Sequence, residues 1–153
     1  MKPILAFVSI FMSLAVSAQS AKPADSVTFC NIRFSVPAGS SAESEYQVKG
    51  EHYSMTWIYM NSDMLQTMPE QFINKLQRQL KGFKKEPIVC FLLGAEAKGY
   101  KITYNTGNKP GFQLIAYGVA NGQPVLVQLV LDNTPQNIDD IPNFALQIIS
   151  FNK

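Results

Sequence analysis

The stretch GFQLIAYGVANGQPVLVQLVLD, residues 111–132, decides the fold because it places two long apolar segments on either side of a turn. The dipeptide Asn121-Gly122 between them favours a tight two-residue β-hairpin. Both segments are apolar at odd and at even positions, so residues such as Leu114 and Ile115 would point to opposite faces of a sheet. Strands that are apolar on both faces are covered on both faces. The stretch therefore predicts two central strands of an antiparallel sheet.

Other segments extend this sheet on both sides. The segment VTFCNIRFSVP, residues 27–37, alternates between apolar and polar residues, which predicts a single half-buried strand. Residues 44–60 read as two strands that turn at residues 49–51. Residues 87–94 and 97–106 supply two further strand candidates.

Two helices are predicted, one in the middle of the chain and one at its end. In residues 67–83, Thr67 and Glu70 have the spacing of a capping box, and apolar residues recur on one side. Residues 139–151, DDIPNFALQIISF, predict a second amphipathic helix that would bury Ile141, Phe144, Ala145 and Ile148. The predicted fold class is α+β, a single antiparallel sheet of about seven strands in the order β-β-β-α-β-β-β-β-α with helices packed on it.

The N-terminus indicates export. Lys2 precedes the apolar run Ile4 to Val16, and small residues lead up to a predicted cleavage between Ala18 and Gln19. This pattern is typical of a secretory signal peptide and is too short for a comfortable membrane span. The sequence thus divides into a signal peptide (1–18), a polar leader (19–26) and one α+β domain (27–153). We expect a periplasmic or secreted protein with no stable membrane insertion after cleavage.

Composition and motifs argue against several kinds of function. Thirteen basic and eleven acidic residues give a net charge of only +2, so no electrostatic field favours nucleic acid. His52 is the single histidine, and the sequence lacks the paired-histidine, CxxC and GxSxG motifs of metal and serine-nucleophile sites. In the strand pattern HYSMTWIYM, His52 is expected beside a turn and Trp57 in the core. We expect no cofactor, no metal site and no enzymatic activity.

Cys30 and Cys90 are the only cysteines, and export would place them where oxidation is permitted. Each lies in an apolar strand pattern. A disulfide between them is therefore predicted, with two separate buried thiols as the alternative.

The order of elements and the motif Phe34-Ser35-Val36-Pro37 resemble the PsbP-like group, which includes small bacterial DcrB-like domains. The resemblance covers most of residues 27–151. It implies a non-catalytic binding or assembly role and transfers no functional residues.

These observations lead to three hypotheses of different classes. The first is an exported, non-enzymatic binding protein acting through a protein–protein surface, for example an inhibitor, an immunity protein or an assembly factor. The second is a small-ligand or lipid carrier with an apolar pocket between helix and sheet. A hydrolase using His52 ranks last, because a lone histidine lacks the partners that catalysis requires.

Overall fold

The computed structural model of this chain describes residues 24–151. The predicted signal peptide, its cleavage site at Ala18 and Gln19, and most of the polar leader lie outside the described residues. The described part contains ten strands: β1 Ser26–Phe29, β2 Ile32–Ser35, β3 Ser41–Ser44, β4 Gln47–Lys49, β5 Tyr53–Tyr59, β6 Lys81–Leu92, β7 Ala95–Thr106, β8 Lys109–Ala120, β9 Gln123–Leu131 and β10 Ile149–Ser150.

Eight of these strands form one antiparallel sheet that curls into a half-barrel, in the order β10-β6-β7-β8-β9-β5-β4-β3. The remaining two, β1 and β2, form a separate hairpin. The predicted α+β class with one seven-stranded sheet and two packed helices is therefore wrong. The fold is mostly β, with 54% of the described residues in strands and 20% in helices.

The central hairpin follows its prediction closely. Strands β8 and β9 pair from Phe112 opposite Leu131 to Ala120 opposite Gln123. Asn121 and Gly122 form the turn with φ angles of 48° and 77°, the left-handed values that a tight hairpin turn needs.

One helix, α1 (Ser62–Gln79), packs on the sheet. It begins five residues before the predicted start, because Asn61 caps it by accepting the Met64 N–H at 2.8 Å. Thr67, the predicted cap, lies inside the helix. The predicted apolar side is correct at Ile73 and Leu76, which are buried against the sheet.

The predicted C-terminal helix over residues 139–151 is wrong as an element but right about burial. The segment forms a short 3₁₀ helix (Ile138–Asp140), a four-residue helix α2 (Asn143–Leu146) and strand β10. Strand β10 pairs with the end of β6. Its backbone groups therefore bond to the sheet, and the helix does not continue to residue 151. The predicted buried stripe of Ile141, Phe144, Ala145 and Ile148 is confirmed.

The segment predicted as one strand, residues 27–37, is the hairpin of β1 and β2. Cys30 and Asn31 interrupt it with φ angles of 46° and 65°. This geometry belongs to a two-residue turn, in which both central residues have positive φ.

The core has two parts, one on each face of the large sheet. On one face, α1 covers a cluster that includes Ile102, Ile115 and Leu126. On the other face, β1, β2 and α2 cover a larger cluster that includes Trp57 and Leu114. The prediction that β8 and β9 are buried on both faces is thereby confirmed.

Candidate functional site

A groove of about 680 Å³ runs between the small hairpin and the far end of the large sheet. Strand β1 contributes Ser26, Val27 and Thr28 to one wall, and the β3–β4 region contributes the other. The lining residues of that second wall and the floor are Ala42, Glu43, Ser44, Glu45, Tyr46, Tyr59, Gln123 and Cys30. Volumes of this size are typical of ligand-binding clefts.

The register of the small hairpin shows which backbone groups of β1 are unpaired. Val36 N–H donates to Asp25 O at 2.9 Å, so the hydrogen-bonded pairs are Asp25 with Val36 and every second pair after it. Ser26 and Thr28 belong to the alternate pairs, whose N–H and C=O groups point away from β2. The Thr28 carbonyl oxygen lies 3.5 Å from the hydroxyl of Tyr59, which confirms that this edge faces the groove. The groove wall is therefore a free strand edge.

The turn at the groove's end is strained and held from two sides. A cysteine with positive φ is uncommon, since its Cβ crowds the backbone. Tyr59 accepts the Cys30 N–H at 2.7 Å, and Asn121 Nδ2 donates to the Cys30 carbonyl at 2.7 Å. The tip of the β1–β2 hairpin is thus fixed to the tip of the β8–β9 hairpin. This contact gives the groove a rigid end.

Two aromatic residues form the groove's floor. Tyr46 and Tyr59 pack edge to face, with ring centroids 5.9 Å apart, and Tyr46 is 46% exposed. Burial raises the pKa of Tyr59, while the hydrogen bond from the Cys30 N–H acts in the opposite direction. The Tyr59 hydroxyl therefore stays protonated at neutral pH. The buried Trp57 Nε1–H has no hydrogen-bond partner within residues 24–151.

The predicted disulfide is not formed: Cys30 and Cys90 are both free and buried. The strand prediction placed Cys30 in a ladder, but the residue lies in the hairpin turn. Cys90 lies on β6, where its Sγ is 3.6 Å from the Ala97 carbonyl oxygen. Each thiol packs with its own neighbours.

Burial raises the pKa of Cys30 and of Cys90 to about 11, and the contact with Tyr59 partly offsets this for Cys30. The folded state therefore favours protonated thiols. We expect the two thiols to contribute their whole share of the free energy of unfolding below the ordinary thiol pKa of 9.0. This contribution should be lost as the pH rises towards 11. Urea unfolding at about pH 8 and about pH 10.5 measures this fall.

The double variant Cys30→Ala, Cys90→Ala is the control, and it should lose less stability over the same range. An equal loss in both proteins would contradict the prediction. Alkylation of the unfolded wild-type protein without reductant should add two groups, and the absence of alkylation would show that the disulfide forms.

His52 lies at the surface, away from the groove. Its side chain is 70% exposed, and its Nδ1 lies 3.4 Å from Asp132 Oδ2 while Nε2 lies 3.7 Å from Glu51 Oε1. Within residues 24–151 both ring nitrogens face carboxylates, which are not groups that a histidine activates as nucleophiles. The structure therefore places this residue beside a turn, as the sequence predicts.

A second cavity, of about 640 Å³, lies between α1 and the sheet. Glu70 lines it and accepts from the hydroxyls of Tyr100 and Tyr117 at 3.2 and 3.5 Å, while Lys85 Nζ lies 3.7 Å from its other oxygen. Burial raises the pKa of Tyr117 to about 12, and the neighbouring Tyr100 and Glu70 add to the rise. The lining is mixed: it combines the charged residues Glu70, Glu96 and Lys98 with apolar residues such as Leu65 and Val119.

Across the described chain, no three His, Cys, Asp or Glu side chains group together as a metal site. Among residues 24–151, no helix has the length and apolar character needed to cross a membrane.

The sequence prediction missed the groove residues Ser26, Thr28, Tyr46 and Tyr59. One local signal indicated the β1–β2 turn at the end of the groove. Asn31 tolerates positive φ and stands between two short alternating segments, as hairpin turn residues do. Nothing local relates Tyr46 or Tyr59 to β1.

No protein-family model and no curated protein matches this sequence. The resemblance to PsbP-like and DcrB-like domains stays a prediction.

Proposed function

We propose that this chain is an exported, non-enzymatic binding protein that receives an extended segment of another protein in the groove beside β1. The observation that supports this most directly is the free edge of β1. Ser26 and Thr28 direct into the groove backbone groups that β2 does not pair, and of these the Thr28 carbonyl oxygen is contacted by the Tyr59 hydroxyl at 3.5 Å. An extended chain could pair with this edge, as in other cases of strand addition.

The edge of the large sheet at β6 is protected against such pairing. β10 covers β6 only at Phe91 and Leu92. The rest of β6 carries Pro87, Lys84 and Lys85, and a register shift between Lys81 and Lys84. Proline, lysine and bulges are features that prevent edge-to-edge association.

The outer strand of the large sheet at the groove is also irregular, since β3 has a register shift between Ala42 and Ser44. β1 has no such feature: its sequence, Ser-Val-Thr-Phe, favours a regular strand. β2 also has a free outer edge, but none of its residues lines the groove. β1 is therefore the edge on which a partner strand fits in the groove.

Thr28→Pro tests this proposal. Proline removes the Thr28 N–H and fills the groove side of β1, but it leaves the β1–β2 hydrogen bonds intact, because Thr28 uses none of them. Peptides of about eight residues, selected from a random display library on the wild-type protein, should bind this variant about tenfold more weakly or worse. Fluorescence anisotropy with the individual peptides measures the change.

Ser35→Pro is the matched control. Ser35 also belongs to a pair without hydrogen bonds, but its free edge lies on the β2 side, away from the groove. Its peptide affinity should equal that of the wild type. Equal binding of the selected peptides to all three proteins would overturn the proposal, as would a selection that enriches no peptide.

A second measurement covers the case in which Thr28→Pro does not fold. In the wild-type protein, bound peptide should slow hydrogen exchange at the Ser26 and Thr28 amides, because both would become hydrogen bonded. Unchanged exchange at both amides under saturating peptide would also overturn the proposal.

A further inference from the structure

The charges of the groove point to the chemistry of its partner. Glu43 and Glu45 line the wall opposite β1, and the lining residues include no lysine, arginine or histidine. Within the described residues neither glutamate forms an ion pair, whereas the chain as a whole carries a net charge of +2. The groove is thus an acidic site on a slightly basic protein.

An exposed aromatic ring lines the same groove as these carboxylates. Tyr46 directly follows Glu45 and is 46% exposed. A lysine or arginine side chain is attracted to the face of such a ring within about 6 Å, and more strongly where a carboxylate is also near.

The same three chemical groups already meet elsewhere in this molecule. Lys85 Nζ lies 5.1 Å from the centroid of the Tyr100 ring and 3.7 Å from Glu70 Oε2. At that place the chain supplies its own cation. In the groove the carboxylate and the tyrosine are present, and the described residues supply no cation to them.

Arg33 is the basic side chain next to β1, and it does not fill this role. Its Nε donates to Ser26 Oγ at 2.7 Å, and the residue is not part of the groove lining. Within residues 24–151, no lysine or arginine forms an ion pair with Glu43 or Glu45 or lies over the Tyr46 ring, so a cation of a partner can bind there.

We infer that the partner strand carries a lysine or arginine side chain that binds between Tyr46 and the carboxylates of Glu43 and Glu45. This inference rests on the proposed strand addition to β1, and it specifies the class of segment that is added: extended and basic. Backbone pairing with Ser26 and Thr28 would set the position of the strand, and the basic side chain would select its sequence.

The library selection described above provides the test. The peptides that bind the wild-type protein should be enriched in lysine or arginine. A synthetic peptide carrying the enriched basic residue should bind the double variant Glu43→Gln, Glu45→Gln about three- to fivefold more weakly, since exposed charge pairs contribute modestly. Added salt should weaken binding to the wild type more than binding to this variant.

Glu96→Gln is the matched control because Glu96 is also an acidic residue, but it lies beside α1 in the second cavity and outside the groove. Its affinity for the basic peptide should equal that of the wild type. Selected peptides without enriched lysine or arginine, or equal affinity for the wild type and the double variant, would overturn the inference. If those same peptides still lose affinity for Thr28→Pro, strand addition stands and only the basic character of the partner is wrong.

Discussion

The substitution Trp57→Ala is expected to lower the free energy of unfolding by about 3–5 kcal/mol, which is the usual cost of removing a fully buried aromatic side chain. Trp57 is 1% exposed and packs edge to face against Phe29, with ring centroids 5.6 Å apart. The indole thus joins the large sheet to the β1–β2 hairpin. Since small domains are stable by only about 5–15 kcal/mol, this variant should unfold at a much lower urea concentration.

The matched control is Ile58→Ala, the next residue on β5, which is 39% exposed. Its effect should be less than about 1 kcal/mol. Trp57 is the only tryptophan, so the transitions should be followed by circular dichroism rather than by fluorescence. Equal urea midpoints for the two variants would show that the two faces of β5 are assigned the wrong way round.

The second large effect is expected at the helix. Ile73→Ala should cost about 2–5 kcal/mol, because Ile73 is fully buried in the cluster between α1 and the sheet. In the described part of the chain α1 is the helix that covers this face, and its contacts with β6, β8 and β9 hold it there. Loss of the side chain leaves a cavity that the helix cannot fill without moving. Urea unfolding followed by circular dichroism measures the cost.

Ile138→Ala is the control for this variant because it makes the same chemical change at a position that is 42% exposed. We expect a change of less than about 1 kcal/mol there. If Ile73→Ala were as stable as Ile138→Ala, the assignment of Ile73 to the buried side of α1 would be wrong.

The sequence predicted best where structure depends on near neighbours along the chain. The turn at Asn121-Gly122 follows from residues that accept positive φ, and the burial of β8 and β9 on both faces follows from their composition. The buried side of Trp57 on β5 follows from the two-residue period of a strand. These features are local, so one sequence suffices.

The failed predictions share a different cause, which is competition between local pattern and distant partners. Residues 139–151 have a helical spacing of apolar side chains, but Ile149 and Ser150 pair with β6, more than fifty positions earlier. The alternation of residues 27–37 continues through Cys30 and Asn31, yet both residues lie in a turn, where Tyr59 and Asn121 hydrogen-bond to the backbone of Cys30. The periodic spacing of apolar residues along one segment does not indicate such contacts.

The sequence by itself therefore determined the central hairpin, the existence of α1 and the buried side of β5. These features depend on turn chemistry and on the periodic spacing of apolar residues. Only the tertiary structure decided that the cysteines stay apart and that β1 keeps a free edge facing Tyr46 and Tyr59. The physical reason is that the groove's walls come from segments separated along the chain. Their approach is set by the curl of the large sheet and by the two hairpin tips that Asn121 joins, not by any pattern within either segment.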